Sequence, residues 1–557
     1  MKGRRRTRKR GIRASREKLS RALAAAGLKT QAALAERIAD LEQSTTPPRD
    51  LVSRAFRELP VDSLSLERVA VALGVEAHTL YLTSKDPAPP AVTQPTAKAI
   101  AVLPFLNLSR DDSTDYFCDG LTEELLNGLA RVPGLRVAGH TSSFSFKKTT
   151  EDPATIASRL GVDHIVEGSV RVAGQRARIT AQLVNPDDGL TLWSQRYDRS
   201  LGDVLTVQDE ICQAVIDALQ VALLGEHDRG TREPASGHEA AVNAWLQGRF
   251  FWNKRTDAGA LKAIKHYEHA IRVDPEFALP HVGLADACRL LSLSGAWPTH
   301  EGYRRAKKAA SRALELNSEL AEAYRSLALI GMEFDWDWAA VAQNCARARE
   351  LGAGKADIHS CCAGYFETQG RLDDAIEERE QASLLEPLWA PVAAGHALTL
   401  SVAGRYADAT AAFERLFELD PAYPAHYGYG SLYYYQGRYR KALDEFNLDP
   451  RDGLRLTGAA MAHGKLGHGR KAASALRALI DGFSHVAPAQ IAQVYVQAGD
   501  WKNAFAWLDR GCKHRDPGVV EITFSPYFAP LRRHRRFAHY LEQIGIEATN
   551  NYRRLRS

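Results

Sequence analysis

Two stretches, "GRLDDAIEEREQASLLEP" at 370–387 and "GRYADATAAFERLFELDP" at 404–421, decide the fold of most of this chain. They align at an offset of 34 residues, and Ala363/Ala397, Gly370/Gly404, Ala375/Ala409, Ala382/Leu416 and Pro387/Pro421 all obey it. Between the opening Gly-Arg and the closing Pro, apolar residues recur at helical spacing. One unit is therefore a pair of helices. Small residues at fixed points let the two helices approach closely, and an aromatic such as Tyr267, Phe413 or Phe446 fills the remaining gap. Pro275, Pro387 and Pro421 end their units, and looser copies centre on Ala285, Ala328, Ala460 and Ala492. About eight units are expected over residues 240–517, enough for a stable solenoid.

The 34-residue period resembles that of tetratricopeptide repeats. The resemblance implies an all-α repeat solenoid that takes a protein or peptide partner in its concave groove. The stretch "FSPYFAPLRRHRRFAHYLEQIG", within residues 518–557, looks like a terminal capping segment. Within it, "RRHRR" at 532–536 reads as a solvated helix face.

Upstream, residues 98–226 switch pattern. "KAIAVLPF" reads as a strand, and "YFCDGLTEELLNGLARV" as an amphipathic helix with Leu121, Leu125 and Leu129 at spacings of four. "LRVAGH" is a strand, and "DPATIASRLG" a helix with Pro153 in its first turn. "DHIVEGSVRVAG" and "RARITAQLVNP" read as a hairpin, "TLWSQRYDRS" as a further strand, and "VQDEICQAVIDALQ" as a helix. Strands alternating with helices and ending in a hairpin predict an α/β domain. The block resembles a domain related to the N-terminal part of TolB, through "IAVLPFLNLSRDDSTDYFCDGLTEELLNGLARV", "LRVAGHTSSFSFK", "IASRLGVDHIVEGSVR", "RITAQLV" and "LWSQRYDRSLGDVLTVQDEI". In that family the domain sits behind a DNA-binding, cyclase or kinase module and beside tetratricopeptide repeats, in bacterial regulators. The resemblance implies an architecture and names no ligand.

Residues 83–97, "TSKDPAPPAVTQPTA", read as an extended, semi-rigid linker. Residues 15–82 are helical in pattern: "SREKLSRALAAAG", "KTQAALAERIAD" with Thr30 as cap, "PPRDLVSRAFREL", and "SLERVAVALGV" closed by Gly74. "TQAALAERI" followed by "SLERVAVALGVEAHTLY" resembles the lambda-repressor/Cro-type helix-turn-helix. In this chain "LEQSTTPP" lengthens the turn between the second and third helices. The resemblance implies DNA contacts by Gln31 at the start of the second helix, by Thr45, Thr46 and Arg49 at the start of the third, and by Ser53, Arg54 and Arg57 along its face.

Residues 1–14 form a basic arm in front of this domain. Ten of the first eighteen residues are Lys or Arg, against the single acid Glu17. The whole chain of 557 residues has a formal charge of +5, so the excess is local to one end. Lys and Arg on DNA phosphates release condensed counterions, and a basic arm beside a helix-turn-helix reaches along the backbone or into the minor groove. Arg4, Arg5, Arg6, Arg8, Lys9 and Arg10 are the expected arm contacts.

The seven cysteines include no CxxC pair and no Cys/His metal spacing, and they read as reduced thiols. No apolar run is long enough to cross a bilayer, and no apolar region follows the basic start. Phosphate-binding loops, dinucleotide fingerprints, HExxH, nucleophile elbows and kinase signatures are missing. His266 and His269 in "HYEHA" read as groove-lining or surface histidines. The expectation is a cytoplasmic, multidomain, non-enzymatic DNA-binding regulator with no cofactor and no metal, whose solenoid holds a protein or peptide partner. Homo-oligomerisation is allowed and membrane association is not expected. The alternative is an interaction scaffold, built on the TolB-like domain and the repeats, that does not bind DNA.

Overall fold

The computed structural model describes residues 98–200 and 238–546 almost throughout, together with 31–42, 63–73 and isolated neighbours. The arm at 1–14, the linker at 83–97 and nearly all of the helix expected at 207–220 lie outside the described residues. Residues 1–96 form one compact unit and residues 97–557 a second.

In the N-terminal unit, α1 (Gln31–Leu41) and α2 (Ser63–Leu73) fall on the second and fourth helices read from the sequence. Leu34, Ala35 and Ile38 of α1 share a core with Leu66, Val69 and Leu73 of α2, and Leu19, Val52 and Leu80 join them. Each helix thus buries the stripe that its 3.6-residue period dictates. An ion pair of 2.5 Å from Arg68 to Glu42 links α2 to the residue just beyond α1.

The second unit opens with a six-stranded sheet: β1 (Lys98–Val102), β2 (Leu106–Asn107), β3 (Leu135–Val137), β4 (His164–Ala173), β5 (Arg176–Val184) and β6 (Thr191–Ser200). The order is β3-β1-β4-β5-β6, with β2 also paired to β4. β1 lies parallel to β3 and β4, while β4, β5 and β6 run antiparallel. The hairpin turns where the sequence places it, with Ala173 opposite Arg176. Both faces of β1 are buried. Ile100 and Val102 pack with Leu121, Leu125 and Leu129 of α3 (Asp115–Ala130). Ala99, Ala101 and Leu103 pack with Ile156 and Leu160 of α5 (Pro153–Leu160). Asp152 caps α5 through the Thr155 amide at 3.0 Å, and Gly161 closes it at φ 62°. One detail differs from the sequence reading. The strand in "LRVAGH" stops at Val137, because His140 already opens a short helix, α4 (His140–Phe144).

Eight helix pairs follow. They are α6 (Glu239–Trp252) with α7 (Asp257–Val273), α8 (Ala278–Leu293) with α9 (Thr299–Leu316), and α10 (Ala321–Ile330) with α11 (Trp338–Gly352). Next come α12 (Ala356–Thr368) with α13 (Leu372–Leu385), α14 (Ala390–Val402) with α15 (Tyr406–Leu419), and α16 (His426–Tyr435) with α17 (Tyr439–Leu448). The last are α18 (Asp452–Lys465) with α19 (Gly469–Phe483) and α20 (Pro488–Ala498) with α21 (Trp501–His514). The aromatic positions fill their gaps as the period requires. Phe446 is fully buried, and a Cβ at Gly430 or Gly458 would meet its ring at 2.6 or 2.3 Å. Tyr267 sits in the same way between Gly248 and Gly283. Gly370 and Gly404, one period apart, turn the chain at φ 68° and 75°, where a side chain would be strained.

Successive first helices pack on one another all along the stack, whereas successive second helices make marginal contact at most. The first helices therefore line the inner, concave side.

Candidate functional site

The sheet domain lies against that inner side. α3 meets α6 so closely that a Cβ on Gly120 would stand 2.6 Å from Leu246. Arg249 of α6 pairs with Glu123 and, at 2.8 Å, with Glu124, both on α3. Burial works against ionisation of Glu123, but the Arg249 guanidinium prevails and holds its carboxyl below the usual range.

A second attachment joins the turn after α13 to the start of α4. The Glu386 carboxylate accepts the Thr141 amide at 3.0 Å and the Ser142 amide at 2.8 Å. The Gly139 amide donates to the Leu385 carbonyl at 2.7 Å, and the Leu388 amide to Ser142 Oγ at 3.0 Å. A Cβ on Gly139 would lie 2.2 Å from the Glu386 carboxylate, so a side chain there would push that carboxylate aside. Burial raises the Glu386 carboxyl above its usual value, against the pull of the hydrogen bonds it accepts.

Between the two attachments lies an open cleft of about 220 Å³. One wall is α3 and the 137–141 segment. The other comes from the first helices of four successive pairs: Trp245 and Arg249 of α6, Val282 and Asp286 of α8, Glu322 and Arg325 of α10, and Ala356 and Asp357 of α12. Six carboxylates and four Arg or Lys side chains line it. Arg325 pairs with Asp286 and, at 3.3 Å, with Asp357. Burial alone would lower the pKa of Arg325, but these two carboxylates raise it. Lys355 pairs with Glu322. Burial lowers the pKa of His140, against the pull of Glu123.

The other half of the inner face is covered differently. Residues 517–546 run back across it and touch α20, α16, α12 and the turn between α10 and α11. Tyr527 donates to Ser431 Oγ at 2.7 Å, Gln497 donates to the Tyr527 carbonyl, and Trp338 Nε1 donates to the Ile544 carbonyl at 2.6 Å. The segment expected to cap the last repeat therefore also lies along the groove. Arg532 is buried rather than solvated, donating to the Ile522 and Ser525 carbonyls at 3.0 Å each. Burial lowers its pKa to about 10.

Of the residues expected to meet DNA, Gln31 begins α1. Arg4, Arg5, Arg6, Arg8, Lys9, Arg10, Thr45, Thr46, Arg49, Ser53, Arg54 and Arg57 lie outside the described residues. The cleft residues were not among the sequence candidates, because nothing local in "FWNKRTD" or "LLEPLW" marks them. His266 stacks on Phe251 with ring centres 5.2 Å apart. Cys118, Cys288, Cys345, Cys361, Cys362 and Cys512 are buried free thiols, and burial pushes Cys118, Cys288 and Cys512 up to about 12. Among the described residues no helix is long and apolar enough to cross a membrane.

No family model matches the chain. A curated relative from Rhizobium meliloti (strain 1021), named "Putative adenylate cyclase 3", is 32% identical over 244 residues, or 43% of this chain and 41% of that protein. The chain thus matches about two fifths of the relative's length. Among solved structures, a tetratricopeptide repeat protein from Parabacteroides merdae aligns over 47% of this chain and 100% of its own, at 12% identity and a TM-score of 0.35. Pseudomonas aeruginosa pilF aligns over 40% of this chain and 98% of its own, at 19% identity and 0.30. YrrB, described as a TPR protein with an unusual peptide-binding site, aligns over 38% of this chain and 97% of its own, at 20% and 0.25. The repeat assignment stands on the chain's own stacked helix pairs, two of which, starting at Ala356 and Ala390, lie 34 residues apart: this is an all-α solenoid of tetratricopeptide-like helix pairs joined to a small mixed sheet.

Proposed function

We propose that the chain is a protein-interaction scaffold whose sheet domain and C-terminal segment serve as built-in occupants of its own solenoid groove. The observation that carries this reading is the kind of contact made on the inner face. Glu386 accepts main-chain amides, while Gln497 and Trp338 donate to main-chain carbonyls. Side chains aimed at backbone, beside aromatic packing, are the chemistry by which grooves hold peptide segments. Here it is used in cis, and a partner protein completes or replaces one of these contacts. The test is co-purification from cells with the intact chain as bait, beside an Ala409→Glu chain whose solenoid is broken. Partners held by the first and lost by the second support the reading. The same set on both baits would sink it.

In this reading the chain is not itself an enzyme. The relative's name describes a cyclase, but the match leaves the larger part of that protein uncovered. Incubation of the purified chain with ATP or GTP should yield no cyclic nucleotide and no hydrolysis.

A second reading adds DNA to the partners. It rests on the ten basic residues among the first eighteen and on the repressor-like and TolB-like resemblances, which suit a bacterial regulator. Gel retardation by the intact chain should weaken steeply as salt rises, and removal of residues 1–14 should weaken all sequences about equally. No retardation of any duplex at low salt would remove DNA from the proposal.

A further inference from the structure

The first helix pair turns at Arg255, a non-glycine residue held at φ 51°. This left-handed region is uncommon for a residue that carries a side chain, and here it closes the turn after α6. The turn delivers the side chain to the cleft. Its guanidinium carbon stands 4.6 Å from the Trp252 ring centre and 5.8 Å from that of Trp389. Trp252 ends the first helix of the first pair, and Trp389 lies in the turn after the fourth pair. Each carboxylate of the cleft already has a partner, as do Arg249, Arg325 and Lys355. Among the described charged residues of the cleft, Arg255 alone has no acceptor.

Stacking on aromatic rings engages the face of a guanidinium and leaves its N–H donors around the edge. Those donors form a fork that matches a carboxylate bidentately. The walls carry six carboxylates against four cations, a net negative field that opposes anions away from Arg255 and a dianion most of all. The volume is below that of pockets for drug-sized molecules, roughly 300–1,000 Å³. The walls beside the fork are indole rings, which suit a flat apolar body. We propose that the cleft binds a small organic monocarboxylate, with Arg255 as its anchor and Trp252 and Trp389 as its walls. Such a ligand touches the first and fourth pairs together and faces the sheet domain, so its binding favours the docked arrangement. Arg255 is solvent-exposed at the cleft, and an arginine guanidinium there stays charged.

The test uses the intact chain and two probes of one shape and opposite charge, benzoate and benzamidine, with inorganic phosphate as a third. Benzoate should raise the melting temperature in a saturable way, and benzamidine and phosphate should not. Arg255→Gly relieves the left-handed strain, so this variant should fold at least as well as the parent. Its affinity for benzoate should fall by about tenfold or more. Arg255→Lys keeps the charge but loses the fork and should fall between the two. A saturable response to benzamidine or phosphate in preference to benzoate would overturn the proposal. So would no saturable benzoate response, or one unchanged in a folded Arg255→Gly chain.

Discussion

The two halves of the solenoid's inner face are covered by the same chain in opposite ways. Over the first four pairs the cover is the sheet domain, held by ion pairs and by the Glu386 carboxylate, with an open cleft left between. Over the later pairs the cover is residues 517–546, and the contact is largely apolar. Ile522, Tyr527, Phe528, Leu531, Tyr540 and Ile544 join one core with Tyr434, Phe446 and Phe505. Apolar burial is non-directional and stabilises roughly in proportion to area, whereas a buried charge pair gives back much of its Coulomb gain in desolvation. The rear contact is thus part of the fold. In the proposed reading, the front contact is the one that opens, accepts a ligand or exchanges for a partner.

The largest effect is expected where both halves depend on one stack. Ala409 is fully buried against its neighbours. Ala409→Glu places a charge there and should cost upwards of about 4 kcal/mol, melting the repeats cooperatively. An unchanged melting temperature would mean that the repeat register is wrong. Next comes the rear cover. Phe528→Ala removes a ring that is 1% exposed and should cost about 3–4 kcal/mol, measured by denaturant unfolding. A loss below about 1 kcal/mol would break the contrast by making the rear contact peripheral.

The front contact is expected to yield more gently. Glu386→Ala removes two charge-assisted bonds to amides and should cost about 1.5–3 kcal/mol, offset in part by no longer burying the carboxylate. Limited proteolysis between residues 131 and 150 should quicken while the repeats keep their melting transition. Loss of both together would show that the two covers are one cooperative unit.

The smallest effect is a pH dependence at the seam. Burial raises the Glu521 carboxyl from its usual 4.5 to about 7, with Asp516 and Glu367 adding to the shift. The folded state therefore binds the extra proton across that window. The stability this group contributes is fully present below about 4.5 and is lost as pH rises through about 7. The fall in melting temperature from pH 5 to pH 8 should be smaller in Glu521→Gln than in the parent. Equal falls would assign the dependence to other groups.

The repeats were legible because their packing is local in sequence. A period of 34 places Ala375 and Ala409 at equivalent contacts, and each contact is made within one unit or with the next. The strands of the sheet were legible for the same reason, from period two and from breakers such as Pro153 and Gly161. Arg532 was misread because "RRHRR" has the composition of a wet helix face. Its burial depends on a chain reversal at 517–528 that no residue type announces.

From the sequence by itself come the repeat, its count, the alternation of strands and helices, and the concentration of positive charge in the first eighteen residues. Each is a statement about spacing or composition. Only the tertiary structure decided that the groove is filled from within, that Glu386 meets Ser142 across 244 residues of chain, and that Arg255 comes to lie between Trp252 and Trp389. These contacts join residues far apart in the chain through single polar groups and one left-handed turn. A single hydrogen bond or a single φ leaves no period in the sequence, whereas a buried stripe of apolar residues does.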